Sequence, residues 1–199
     1  MKKLIFSLAV GVLSLLSANA ATISVTNLDG SNFSGIVNSS GAVVTSGVVA
    51  IGTFNLEPTS AGGVLGSFIQ AGNTLSLGPN SFFQGNVNTG TLVSGDSFVG
   101  KNVYVVIGNG VTLANSTEIL VWKATANTAG NLFVADNPVG GPDTLTVVAN
   151  KGTLSVGNSS TFDFGGGAQL VFQLVAVPEP SVALLGALGG LALLRRRRN

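Results

Sequence analysis

The stretch Asn102 to Lys123 reads NVYVVIGNGVTLANSTEILVWK. Its two ends, Asn102 to Ile107 and Glu118 to Lys123, are runs of β-branched and aromatic residues, which fit a pleated sheet better than a helix. Between them Gly108-Asn109-Gly110 is a turn signal that leads into Val111 to Leu113. The two runs are therefore expected to lie side by side as neighbouring strands. Trp122 is the bulkiest apolar side chain in either run, and core packing is its expected role.

Working outward, the same phrasing recurs. Thr22 to Leu28 alternates with Ile23 and Val25 inward, before a turn over Asn27 to Asn32 that carries Asp29-Gly30. Val43 to Phe54 is β-branched around Gly47 and Gly52, which predicts two strands or one bent strand with bulges. Asn131 to Ala135, Thr144 to Ala149, Thr153 to Val156 and Leu170 to Val175 are further strand candidates. Helical spacing competes only at Val64, Leu65, Phe68 and Ile69, with Thr59 or Ser60 as cap and Gly72-Asn73 as the end. Gly62, Gly63 and Gly66 each cost about 1 kcal/mol against alanine inside a helix, so that helix should be short. Eight or more short strands predict an all-β chain, a single β-sandwich-like ectodomain with at most one short helix. Two phrases echo each other, Thr74 to Gly78 (TLSLG) and Thr153 to Gly157 (TLSVG), each followed five residues later by Phe83 or Phe162. Two copies this far apart do not make a solenoid ladder.

The two ends of the chain differ in kind from the body. Met1 to Ala20 has Lys2 and Lys3, an apolar stretch from Leu4 to Leu16, and Ala18-Asn19-Ala20, the small-x-small pattern cut by signal peptidase. Residues 1–20 are thus expected to be a secretory signal peptide, and residues 21–176 an exported body. At the other end, Ser181 to Leu194 is uncharged, about 21 Å long if helical against a hydrocarbon core of about 30 Å, so it makes a short C-terminal transmembrane helix. Arg195, Arg196, Arg197 and Arg198 follow at once, where snorkelling and the positive-inside bias would hold them at the cytoplasmic face. Pro178 and Pro180, either side of Glu179, keep the approach to that helix extended.

The order of these three parts within residues 177–199 resembles the sorting tail of bacterial PEP-CTERM proteins, the same tail that is also catalogued as an ice-binding protein C-terminal domain. Here the motif is Pro178-Glu179-Pro180, the transmembrane helix spans 181–194 and the basic cluster is 195–198. The resemblance covers about a ninth of the chain. It implies that a membrane protease-transpeptidase, exosortase, reads the motif, cuts near it and passes an inner-membrane-anchored precursor to the cell surface or an exopolysaccharide matrix.

Composition narrows the chemistry of the body. It has three lysines, Lys101, Lys123 and Lys151, against seven acids, a net charge of −4, so the basic excess of the whole chain sits in the two ends and no nucleic-acid surface is expected. There is no cysteine and no histidine. Disulfide staples, Ser-His-Asp and Cys-His catalysis, His-containing zinc sites and His-ligated haem are excluded by that absence. No cofactor, metal site or catalytic residue is expected. A hydrolase would have to use carboxylates such as Glu57, Asp96 or Glu118. The loop Asp136 to Asp143 holds two carboxylates, an amide and freed carbonyls, ligand types for calcium, without the spacing of an EF-hand. Tyr104 and Trp122 could serve sugar stacking if exposed, although strand packing is the plainer reading. The leading expectation is a non-enzymatic structural or adhesive surface protein, with an exopolysaccharide-binding module as the alternative and a hydrolase third.

Overall fold

The structure is a computed structural model that describes residues 21–29, 32–124, 133, 144–148, 151–163 and 168–178. In chain order the strands begin with β1 (Ala21–Thr26), β2 (Leu28–Asp29), β3 (Asn32–Phe33), β4 (Gly35–Val37) and β5 (Gly47–Phe54). Helix α1 (Ala61–Ser67) comes next, then β6 (Phe68–Gln70), β7 (Leu75–Leu77), β8 (Gln84–Gly90), β9 (Tyr104–Gly108) and β10 (Glu118–Lys123). The last strands are β11 (Thr144–Val148), β12 (Thr153–Val156), β13 (Asn158–Asp163), β14 (Ala168–Gln173) and β15 (Val175–Ala176). The chain is mostly β, with one α-helix and several sheets among the described residues.

At the centre stand β10, β9 and β5, paired antiparallel with Val121 opposite Val106 and Val106 opposite Ala50. Each outer edge of this trio is covered by two short strands placed end to end. β12 and β15 share the free edge of β10, while β6 and β7 share that of β5. All five residues of β9 are buried, as expected of a strand covered on both faces. Alternation then divides the side chains. Val105, Ile107, Val49, Ile51, Leu120 and Trp122 enter the main apolar cluster, whereas Tyr104, Val106, Phe54, Ile119 and Val121 enter a second one on the opposite face. Gly52 is required where β5 meets β6, because a Cβ there would collide with the Ile69 carbonyl oxygen.

The main cluster is shared with two smaller sheets. β1 lies between β11, parallel to it, and β8, antiparallel, and contributes Ile23 and Val25. β14 lies between β13 and β4 and contributes Phe172. The second cluster is closed by α1 through Ala61 and Val64 and by Val175 and Val177 near the C-terminus.

The pairing of Asn102–Ile107 with Glu118–Lys123 expected from sequence is present as β9 and β10. Val43–Phe54 yields one strand, Gly47–Phe54, and Val111–Leu113 is followed by a 3-10 turn at Leu113–Asn115. The helix begins after Ser60, whose side chain makes no capping hydrogen bond, but it ends at Ser67 rather than at Gly72-Asn73. Phe68 and Ile69, spaced in helical phase with Val64 and Leu65, instead pair with Phe54 and Thr53, and the Phe54 and Phe68 rings sit 5.2 Å apart. Ladder hydrogen bonds and ring packing outweigh continuation of a helix weakened by three glycines. Of the candidate strand 131–135 only Phe133 is described; it is buried and bonded through its backbone to Gly100 and Lys101.

Candidate functional site

Glu57, Asp96 and Glu118 were the carboxylates considered for hydrolytic chemistry, and the structure engages each with a different set of partners. Glu57 follows β5 and accepts hydrogen bonds from Lys123 Nζ at 3.1 Å and Ser155 Oγ at 2.7 Å. The Tyr104 hydroxyl is a further neighbour that lowers the Glu57 value slightly. Ser155 reaches it because β12 carries a bulge: Leu154 pairs with Trp122 and Val156 with the adjacent Val121, leaving Ser155 as the extra residue. Glu118 lies at the other end of β10, where it accepts from the Ser39 backbone N–H at 3.3 Å and from the Ser39 hydroxyl. The two ends of β10 are about 17 Å apart at 3.4 Å per residue, whereas a glycosidase pair stands about 5–10 Å apart. Asp96 caps its own turn, accepting from Val93 N–H at 2.8 Å.

Electrostatics agrees with the geometry. The Ser155 hydrogen bond holds the Glu57 carboxyl below its ordinary value against a smaller opposing effect of desolvation, and Lys123 adds to the lowering. A general acid needs the reverse shift. Burial, and then the neighbouring Glu57 charge, push the Tyr104 hydroxyl up to about 12. The group is a structural polar cluster at the end of the central trio. Its ion pair, with both side chains about a third exposed (30% and 42%), contributes well under about 1 kcal/mol.

Among the described residues no group of three or more acids gathers as a metal site. The loop 136–143 lies outside the described residues. Trp122 and Tyr104 are buried, at 0% and 3% exposure, so neither offers a sugar-stacking platform. Trp122 stacks edge-on against Phe172 at 4.7 Å.

A concavity lies among the described residues where the last of them, 175–178, cross β10. β15 pairs antiparallel with β10, Val175 opposite Ile119 and Ala176 opposite Glu118, and the Val177 N–H then donates to the Thr117 carbonyl at 2.8 Å. Ala176, Val177 and Pro178 form one wall of an open groove of 590 Å³, faced by Gly62 and Leu65 of α1 and by the segment Ala114–Glu118. Asn109 braces that segment, its side-chain oxygen accepting from the N–H groups of Thr117 and Glu118 at 3.0 and 3.1 Å. Of the expected sorting motif, Pro178 alone is among the described residues. Glu179, Pro180, the segment 181–194, Arg195, Arg196, Arg197 and Arg198, and Ala18 and Ala20, where signal peptidase is expected to act, lie outside the described residues. No helix among the described residues is long and apolar enough to cross a membrane. The strand candidate Leu170 to Val175 is split: β14 ends at Gln173, and Val175–Ala176 form a separate strap on β10 that sequence reasoning did not foresee. No known protein family, curated protein or solved structure matches the chain.

Proposed function

We propose that the chain is an exported surface or matrix protein of structural or adhesive type, delivered as an inner-membrane precursor and sorted by its C-terminal Pro178-Glu179-Pro180 signal. Signal peptidase acts after Ala20, and an exosortase-like membrane protease acts at the tail, with Arg195 to Arg198 setting register at the cytoplasmic face. The body is read as sandwich-like, the main apolar cluster lying between the central sheet and the two smaller ones. Exopolysaccharide is its expected neighbour after release.

The observation that carries this reading is that the folded body continues to Pro178, with the rest of the motif, the uncharged segment and the four arginines following directly in sequence. The structural role is supported by how the described residues are engaged: Glu57, Asp96 and Glu118 each accept hydrogen bonds from the body itself, and Trp122 and Tyr104 pack inward. Intact mass of the surface fraction, from cells with and without the membrane protease, tests the sorting. A form that begins at Ala21 and lacks the basic cluster should appear only when the protease is present. Full-length protein in the inner membrane with no shortened form would sink the reading.

A further inference from the structure

The sheet of β11, β1 and β8 turns one face toward the core and the other away from it. Ile23, Val25, Val87 and Val147 enter the main apolar cluster, so the residues that alternate with them point outward. Strand register sets those outward positions in rows. Thr146, Ser24 and Asn86 make the middle row, Thr26 stands opposite Gln84, and Thr22 stands opposite Asn88. Thr144 and Val148 complete the outer rows on β11, and Val148 is buried. Gln84, Asn86, Asn88 and Thr146 are exposed, while Thr22, Ser24 and Thr26 on the central strand are half-buried. None of the nine positions carries a charge or an aromatic ring. Neighbours in a row are about 4.8 Å apart, and successive rows about 6.8 Å apart. Local bonds hold two corners of the grid: the Thr26 hydroxyl accepts from Leu28 N–H at 3.1 Å, and the Asn88 side-chain oxygen accepts from Gly90 N–H at 2.8 Å.

We infer that this outward face, an uncharged grid of threonine, serine, asparagine and glutamine on three paired strands, is a docking surface for a neutral polysaccharide chain. The inference rests on the reading above that places the body beside exopolysaccharide, and it adds which surface meets the polymer and what chemistry the polymer presents. Charge selects the occupant. A polyanion would find no cation on this face and would be repelled by a body of net charge −4, and a polycation would find no acid here. A protein partner is anchored by buried aromatic or arginine side chains, which the face does not offer. Hydroxyl and amide side chains both donate and accept, as sugar hydroxyls do, so the grid can pair with a glycan in more than one orientation. Each such bond replaces one made to water and is weak alone, so binding depends on several forming together along the polymer. The backbone pairing of β1 on both sides fixes the grid before the polymer arrives, which lowers the ordering cost of binding.

The test is retention of the full chain, purified in non-ionic detergent, in native gels cast with matrix polysaccharide of the producing cells, separated by anion exchange into an uncharged and an acidic fraction. Retention by the uncharged fraction is expected, and it should be unchanged at high salt because no ion pair is involved. In S24V/N86V/T146V, whose valines suit exposed strand positions, retention should fall at least several-fold with the melting transition preserved. Thr161→Val, exposed on β13 of a different sheet, should bind as the parent does. If the triple variant does not fold, Ser24→Asp alone places a charge at the centre of the grid and should weaken retention likewise. Equal retention of the parent and a folded face variant would overturn the inference, as would retention by the acidic fraction alone with loss at high salt. So would a dimer of the chain that forms through this face without binding polysaccharide. Protein that is processed and exported yet not retained by the uncharged fraction would overturn the docking face and leave the sorting reading standing, whereas protein that is retained in the gel but never exported would overturn the sorting reading alone.

Discussion

The phrases TLSLG (Thr74 to Gly78) and TLSVG (Thr153 to Gly157) are nearly the same sequence, and both become edge strands of the same sheet, β7 on β5 and β12 on β10. Their outcomes diverge. In β7 the alternation is unbroken, so Leu75 and Leu77 both turn toward the main cluster. In β12 the bulge at Ser155 flips the face, so Leu154 packs on the main cluster and Val156 joins the second. A one-residue slip reverses which side of a sheet a side chain faces, and here that slip joins one short strand to two cores. It also aims Ser155 at Glu57, while Ser76 at the corresponding place in β7 is exposed.

The largest effect expected at this divide is at Trp122, the partner of Leu154 across the bulge. Trp122→Ala should lose about 3–5 kcal/mol in denaturant melts, because it empties the site between Phe83 and Phe172. Trp122→Phe should lose much less, since the indole N–H has no hydrogen-bond partner among the described residues and its removal offsets part of the lost volume. A loss below about 1 kcal/mol for the alanine variant would contradict a core role.

Deletion separates the two strands next. Removing Ser155 restores a regular ladder and leaves Leu154 and Val156 on their present sides, so it should lose about 1 kcal/mol, chiefly the contact with Glu57. Removing Ser76 throws Leu77 to the wrong face, for a loss of about 2–5 kcal/mol. Equal losses in thermal or denaturant melts would show that the bulge is not what distinguishes the strands.

The glycines that close the two phrases differ in the same sense. Gly157 has φ +121, and a Cβ there would collide with Leu120 and approach the Gln173 carbonyl oxygen at 2.9 Å. Gly157→Ala should therefore lose about 1–3 kcal/mol. Gly78 has φ −87 and its nearest neighbour is the Phe82 carbonyl oxygen at 3.1 Å, so Gly78→Ala should change stability by less than about 1 kcal/mol.

The smallest effects are in titration. Tyr104 is the single tyrosine of the chain, so its ultraviolet absorbance titration is unambiguous: the midpoint should lie near 12 rather than 10.0. Because the folded value is raised, the stability it reflects is full below pH 10.0 and is lost as pH rises toward 12. Glu57 runs the other way. Its folded value is lowered from 4.5, so its contribution is present above that pH and lost as pH falls through the folded value. Ser155→Ala removes the main cause of the lowering and should flatten stability between neutral and acid pH, whereas Ser76→Ala should leave it unchanged. An identical pH profile in the two variants would remove Glu57 from the bulge's account.

By itself the sequence determined the β character of the chain and the adjacency of β9 and β10, because β-branched runs and a Gly-Asn-Gly turn act locally. It also marked Trp122 as core and limited the chemistry of the body through the absence of histidine and cysteine, since a missing side chain needs no fold to be missing. Polar strands escaped it. β8 (QGNVNTG) and β13 (NSSTFD) carry little β signal and exist because partners in β1 and β14 supply their hydrogen bonds. Asn27 reads as a turn residue, yet it is fully buried: its amide donates to the carbonyls of Ser34 and Ser81 at 2.9 and 2.7 Å and accepts from Phe83 N–H at 3.0 Å. Only the tertiary structure decided that clip, the bulge at Ser155, the separation of Glu57 from Glu118 and the strap at 175–177. Each depends on which distant segment stands across a hydrogen bond or in an apolar pocket, and local residue preference carries no information about partners dozens of positions away.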